Sequence, residues 1–99
     1  MITRLVKMTF REDTIAGFLK LFEERREHIK ANQGCLHLEM LQEKSNGLVC
    51  FTYSIWEDEV ALEAYRRSPF FKDTWTATRK LFAQKAEAWT MVSRAVLKD

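Results

Sequence analysis

Residues 35–56 read CLHLEMLQEKSNGLVCFTYSIW, and this stretch decides the fold. Apolar and polar residues alternate on both sides of Asn46-Gly47. This dipeptide is typical of a two-residue type I′ hairpin turn, because both residues tolerate positive φ. The pattern predicts strands over 35–43 and 48–56, with Ser45 opposite Leu48. The predicted pairs are Met40 with Tyr53 and Leu38 with Ile55 on an apolar face, and Leu41 with Thr52, Glu39 with Ser54 and His37 with Trp56 on a mixed face.

This register also bears on the two cysteines, Cys35 and Cys50. It places Cys50 opposite Glu43, so Cys35 lies eight residues further along its strand, or roughly 26 Å away at ~3.3 Å per residue. A disulfide requires Cα atoms within about 7 Å of each other. The sequence therefore predicts two unpaired thiols.

The rest of the chain supplies two more strands and two helical regions. Residues 2–10 alternate like a strand, 14–31 have the spacing of an amphipathic helix, and 88–97 alternate again. Residues 59–67 form a short helix that Asp58 caps, and Ser68-Pro69 begins a second helical segment. The order β-α-β-β-α-β predicts one α+β domain over 1–99, a ferredoxin-like antiparallel sheet with helices on one face.

One face of this sheet has no helices to cover it. The residues expected to face the helices are Val6, Met8, Leu38, Met40, Phe51, Tyr53 and Ile55. The opposite face carries Leu5, Leu41, Trp56 and Val92 among polar residues, which is a sizeable apolar patch. Pairing two sheets face to face would cover this patch, so a homodimer is expected.

Composition and charge disfavour several classes of protein. The net charge is +2, with acidic and basic residues interleaved. The sequence shows neither a membrane-spanning run of ~20 apolar residues nor a signal peptide, so a cytoplasmic protein is expected. RNA-binding domains of this order need aromatic residues on the open face of the third strand, where Leu48, Cys50, Thr52 and Ser54 are expected. Nucleic-acid binding is therefore not predicted. His28 and His37 lack metal-ligand spacing, and no metal or other cofactor is predicted.

Residues 55–75 read IWEDEVALEAYRRSPFFKDTW. A strand that ends in Trp, a short helix with an acidic cap and then Ser-Pro-Phe-Phe resembles the antibiotic biosynthesis monooxygenase (ABM) family. The resemblance extends upstream over nearly the whole chain, through Leu5-Val6-Lys7, Arg11-Glu12-Asp13, the Phe18–Phe22 helix and Gly34-Cys35. It implies a dimeric α+β barrel, with a pocket in each subunit between helices and sheet.

The resemblance implies several activities. These are cofactor-free oxygenation of phenols or quinols, haem degradation, and isomerisation of a phosphorylated signalling sugar, as in the autoinducer-2 processing proteins. The chain has Trp75 where haem-degrading members have a ligand His, and Val6-Lys7 where they have Asn. It has Tyr65 where quinol-oxidising and autoinducer-2-like members have His, so their acid–base chemistry does not transfer directly.

Six residues are the candidates for a site. Tyr65 is the candidate catalytic residue, since its hydroxyl can donate to a substrate oxygen or assist proton transfer. Tyr53, Phe71 and Trp75 would line a pocket for a flat ligand, and Arg4 or Arg79 would bind an anionic group. Each of the six also has a purely structural interpretation, as a core aromatic or a surface cation.

The leading hypothesis is a cofactor-independent monooxygenase acting on a small phenolic or quinol-type substrate. The alternatives are an isomerase of a small oxygenated metabolite and a non-catalytic small-molecule-binding or stress protein. The expected partners are a second copy of the chain and the small aromatic or oxygenated metabolite.

Overall fold

A computed structural model describes residues 1–97 and contains a four-stranded antiparallel sheet and three helices. The elements in chain order are β1 (Ile2–Thr9), α1 (Ile15–Lys30), β2 (Cys35–Gln42), β3 (Val49–Trp56), α2 (Glu59–Arg67), α3 (Pro69–Arg79) and β4 (Glu87–Val92). The strand order is β2-β3-β1-β4, with every neighbouring pair antiparallel. The predicted ferredoxin-like α+β fold is confirmed.

The boundaries of α2 and α3 follow from local capping. The Asp58 carboxylate accepts a hydrogen bond of 2.8 Å from the Ala61 backbone N–H at the start of α2. The Ser68 hydroxyl accepts one of 3.1 Å from the Phe71 N–H at the start of α3, where Pro69 fits because the first helical N–H has no acceptor. Both predicted starts are confirmed.

The predicted hairpin register is wrong by one residue. Met40 pairs with Thr52, not with Tyr53, and Glu39 pairs with Tyr53. A type I′ turn requires positive φ at both central residues. Asn46 and Gly47 do not form one, because in the described part of the chain only Gly34 has positive φ. The Glu43 N–H donates to the Val49 carbonyl at 2.8 Å, which leaves residues 44–48 as a longer loop.

Because side chains alternate along a strand, this shift turns β3 over. Cys50, Thr52, Ser54 and Trp56 face the helices, and Phe51, Tyr53 and Ile55 face the opposite side. The predicted helix-facing positions of Phe51, Tyr53 and Ile55 are therefore wrong, as is the predicted open-face position of Trp56, which is buried on the helix side at 1% exposed. The premise that the open face of β3 lacks aromatic residues is wrong as well.

The uncovered face of the sheet is more apolar than expected. We call it the open face, and its apolar members are Leu5, Leu41, Phe51, Tyr53, Ile55, Trp89 and Met91. Val92, which was expected there, pairs with Ile2 on the helix side. Leu41, Trp89 and Met91 are each 43% exposed, so this face still has apolar surface to cover.

The core between helices and sheet consists of two clusters. One contains Met8, Phe10, Phe18 and Cys50, and the other contains Cys35, Trp56 and Leu62. The two cysteines belong to different clusters, and both thiols are buried and unpaired, as predicted. Both clusters contribute residues to the cavity described next.

Candidate functional site

A cavity of about 390 Å³ lies between the helices and the sheet. Part of its floor is built from small residues, namely Thr52 and Ser54 of β3, Ala88 of β4 and Ala86 just before β4, and the rest from Val6, Met8 and Leu38 of β1 and β2. Its other walls carry large aromatic side chains from the helices and from the end of β3. These aromatic residues are Phe18, Phe22, Trp56, Tyr65, Phe71 and Trp75. The cavity exists because the sheet presents small side chains beneath large ones that cannot collapse onto it.

Tyr65 on α2 is held between two aromatic rings. It stacks on Trp56 with ring centroids 5.1 Å apart and meets Phe71 edge-on at 5.0 Å. The Trp56 indole N–H donates to the Ser54 hydroxyl at 3.0 Å, which fixes the ring against which Tyr65 stacks. Within residues 1–97 no protein group hydrogen-bonds to the Tyr65 hydroxyl. The hydroxyl therefore keeps its hydrogen-bonding capacity for a ligand.

Burial, with a smaller effect from the charge of Cys35, raises the pKa of Tyr65 far above its ordinary value of 10.0. The phenol consequently stays protonated at neutral pH. It can donate a hydrogen bond, but it cannot serve as a ready-made base.

Two arginines give the cavity wall its charge. The Arg4 guanidinium on β1 is half-buried and donates to the Thr90 hydroxyl at 2.7 Å. Arg66, next to Tyr65 on α2, pairs with the Glu63 carboxylate at 2.9 Å and has a side chain that is 40% exposed. The pKa of Arg4 is lowered first by burial and then by the positive charge of Arg66, while Glu63 acts in the opposite direction. The two cations are thus close enough to repel each other.

Four of the six predicted site residues line this cavity: Arg4, Tyr65, Phe71 and Trp75. Tyr53 does not, because it faces the open side of the sheet, where its ring meets that of His37 edge-on at 5.5 Å. Arg79 is the last residue of α3 and is exposed outside the cavity. The structure therefore does not bring Tyr53 and Arg79 together with the other four.

Sequence reasoning missed Trp56, Arg66 and the polar floor of Thr52 and Ser54. Trp56 and the floor were hidden by the wrong register, which put them on the open face. The sequence gives no signal for Arg66, because an arginine in the last turn of a helix is favoured there by the helix dipole alone.

The chemistry available in the cavity is limited. Its lining includes no Asp, Glu or His, and no cluster of metal-binding side chains occurs among the described residues. The polar groups of the lining are two guanidinium groups, one phenol, two indole N–H groups and several hydroxyls. Such a set can bind and stabilise an anion, but it does not itself supply a general base.

Residues 1–77 match the family model described as antibiotic biosynthesis monooxygenase, so the chain belongs to this family. Solved structures agree with the fold. A conserved protein from Methanosarcina mazei Go1 is 22% identical, covers 92% of this chain and 91% of its own, and superposes with a TM-score of 0.86. SnoaB, a cofactor-independent oxygenase from Streptomyces nogalater, is 20% identical, with coverages of 99% and 97% and a TM-score of 0.88.

No curated protein matches the chain at a significant level. No helix within residues 1–97 is long and apolar enough to cross a membrane.

Proposed function

We propose that this protein is a cofactor-independent monooxygenase that oxygenates a small phenol or quinol in the cavity between helices and sheet. The observation that carries the proposal is the cavity itself, in a chain of the monooxygenase family: aromatic walls, two guanidinium groups and a protonated tyrosine. Its volume of about 390 Å³ suits a small ligand. An electron-rich ring can reduce O₂ directly, so the protein need only bind it, stabilise its anion and exclude water.

The reaction is balanced with O₂ as the only oxidant. A ring carbon of the substrate anion that carries hydrogen forms a bond to O₂ and, after protonation, gives a hydroperoxide. The O–O bond then breaks as the C–H proton leaves. One oxygen stays on carbon as a carbonyl, and the other departs as water. A quinol consequently gains one oxygen and ends as a hydroxylated quinone.

The side chains have distinct roles in this proposal. Arg4 and Arg66 stabilise the substrate oxyanion, which lowers the pKa of the bound substrate hydroxyl and compensates for the absence of a base in the cavity wall. Tyr65 donates a hydrogen bond to the oxyanion or to the peroxide oxygen. The Trp56 and Trp75 rings hold the substrate flat.

The direct test is oxygen uptake with a panel of hydroquinones, with the product mass measured after reaction under labelled O₂. We expect turnover above buffer and one labelled oxygen in the product. The Tyr65→Phe variant should lower kcat/KM by about tenfold or more, since a hydrogen bond to a developing anion is lost, while melting stays intact. Tyr53→Phe, outside the cavity, is the matched control. No oxygen uptake above buffer across the panel would overturn the proposal.

The absence of a base among the described lining residues favours one alternative, a non-catalytic binding protein. That function predicts ligand-induced stabilisation without product, whereas an isomerase predicts product without O₂. Running the same panel under nitrogen and in air distinguishes the three functions.

We also propose that two copies of the chain pair through the open face. The support is its apolar surface, with Trp89 and Met91 each 43% exposed. Such pairing would cover Phe51 and Tyr53, the aromatic residues on which RNA bases would otherwise stack. Trp89→Lys should yield a monomer in light scattering, whereas Val60→Lys, at a 78% exposed position on α2, should not. A Trp89→Lys protein that stays dimeric would contradict pairing through the open face. Binding of RNA by the wild-type protein would contradict the covering of Phe51 and Tyr53.

A cytoplasmic location is part of the same proposal. Its support is the pair of buried, unpaired thiols of Cys35 and Cys50, which suits a reducing compartment. Fractionation of the source cells tests it, and recovery outside the cytoplasm would contradict it.

A further inference from the structure

Among the described residues, the cavity lining carries two positive charges and no negative one, and one of these two cations has no acidic partner. Arg4 and Arg66 are its charged lining residues. Arg66 has a partner in Glu63, but within residues 1–97 the side chain of Arg4 hydrogen-bonds only to the neutral Thr90 hydroxyl and has no carboxylate within ion-pair distance. Arg4 therefore carries a partly desolvated charge that no carboxylate within residues 1–97 neutralises by direct contact.

Retaining this cation carries an energetic cost. Burial disfavours the charged form of Arg4, and the nearby positive charge of Arg66 disfavours it further, while Glu63 offsets a smaller part of this cost. A guanidinium group does not deprotonate in proteins, so it cannot lose its charge to escape this cost. An anion in the cavity would relieve it at both arginines at once.

The rest of the wall restricts what carries that anion. The remaining surface is mainly aromatic and aliphatic, and the rings of Trp56, Tyr65 and Trp75 suit a flat partner. Guanidinium groups match the planar geometry of a carboxylate and bind it through two parallel hydrogen bonds. The Arg4 guanidinium uses Nη1 to donate to the Thr90 hydroxyl, and its other N–H groups are available to a ligand.

We propose that the ligand of this cavity is an aromatic acid, a hydroxylated ring whose carboxylate binds Arg4 and Arg66 while the ring lies among the cavity aromatics. This inference rests on the proposed function and narrows its substrate class from phenols in general to phenolic acids. In such a ligand the carboxylate takes the place at the two arginines that the ionised hydroxyl of a plain quinol would otherwise have, and Tyr65 is left to donate to the ring oxygen. The experiment separates these two anions.

The test measures binding under nitrogen, where no oxygenation occurs. The probes are gentisate, which is a dihydroxybenzoate, its methyl ester and unsubstituted hydroquinone. Quenching of tryptophan fluorescence reports binding, since Trp56 and Trp75 line the cavity. We expect gentisate to bind about tenfold or more tightly than either neutral probe, the size expected for hydrogen bonds to a charged group.

Variants assign this preference to the arginines. Arg4→Met keeps the stem and removes the charge, so it should abolish the preference for gentisate over its ester and leave ester binding within about twofold of wild type. Arg66→Met should reduce the preference. Arg67→Met is the matched control, because Arg67 is exposed and does not line the cavity, and it should retain the wild-type preference.

Equal affinity for gentisate and its ester, or no binding of gentisate, would overturn the inference. Circular dichroism checks that each variant folds. If Arg4→Met does not fold, the inference is judged on the preference of the wild-type protein for gentisate over its ester and on the loss of this preference in Arg66→Met. The proposed function fails separately. A clear preference for gentisate under nitrogen with no oxygen uptake in air would refute the monooxygenase and leave the ligand class standing.

Discussion

Replacing Gly34 with Ala tests how α2 is held over the sheet. Gly34 precedes β2 and has φ of 87°, a conformation that L-residues rarely adopt. A Cβ atom at this position would lie 2.5 Å from the Ala61 Cβ atom on α2. Neither atom belongs to a flexible side chain that could move aside. The backbone must shift to accept the substitution.

The cost has two parts. An L-residue in the left-handed region costs about 1–2 kcal/mol, and overpacking of this kind costs about 1–3 kcal/mol. Gly34→Ala should therefore lower the free energy of unfolding by about 2–5 kcal/mol, out of about 5–15 kcal/mol for a typical domain. It should also weaken ligand binding in the molecules that remain folded, because Ala61 lies one turn before Tyr65 and Arg66.

Urea unfolding followed by circular dichroism measures this change, with all variants at one protein concentration because association would add to stability. Gly17→Ala is the matched control. A Cβ atom on Gly17 meets nothing within 4 Å in the exposed interior of α1, so this variant should gain about 0.5–1 kcal/mol. The two substitutions have opposite expected signs. A Gly34→Ala protein as stable as wild type would refute the packing of α2 described above.

Three further predictions follow from the described contacts. The chain has two tyrosines, so in the Tyr53→Phe variant the phenolate absorbance reports Tyr65 alone. The midpoint of this titration should lie above pH 10.0, because burial raises the pKa of Tyr65. The unfolded state then ionises before the folded state does, so the free energy of unfolding should fall as the pH rises above 10.0. A midpoint at or below 10.0 would contradict the buried position of this phenol. Ser54→Ala should cost about 1–3 kcal/mol in urea unfolding, because it leaves the buried Trp56 indole N–H without its acceptor. Gly47→Ala should change stability by less than about 1 kcal/mol, whereas a larger loss would support the type I′ turn that the structure lacks.

The parts of the fold that could be predicted from the sequence are those that local chemistry determines. Asp58 and Ser68 can cap a helix only at its start, and Pro69 fits only in the first turn, so these boundaries were readable without tertiary information. The element order follows from such boundaries and from the changes in hydrophobic period. It was enough to predict the fold class.

The register could not be predicted, because side-chain contacts outside the dipeptide determine the loop. The Glu43 carboxylate accepts hydrogen bonds from the Ser45 hydroxyl and from the Asn46 backbone N–H, and the Asn46 side chain accepts one of 3.1 Å from the Leu48 N–H. These bonds stabilise a longer loop without positive φ at Asn46 or Gly47. A propensity for Asn-Gly turns does not include them.

The hydrophobic pattern of β3 was also misleading for a physical reason that concerns the site. The rule that the more apolar face of a strand packs inward assumes a filled core. Here the inward face of β3, apart from Trp56, consists of the small residues Cys50, Thr52 and Ser54, and the cavity lies over Thr52 and Ser54. The larger Phe51, Tyr53 and Ile55 are then free for the open face.

The same inversion connects the site to the proposed dimer. The residues of β3 that alternate with Thr52 and Ser54 point outward, and because they are large and apolar they leave apolar surface on the open face. The same alternation of side chains along β3 therefore leaves room for the cavity on one side and makes the open face apolar on the other. Substituting a large residue for Thr52 or Ser54 should fill the cavity without changing the open face, whereas substituting Phe51 or Tyr53 should weaken association without filling the cavity. Measuring ligand affinity and oligomeric state on the same variants would show whether the two properties are separable. If filling the cavity also dissociated the protein, the assignment of the two faces of β3 would be refuted.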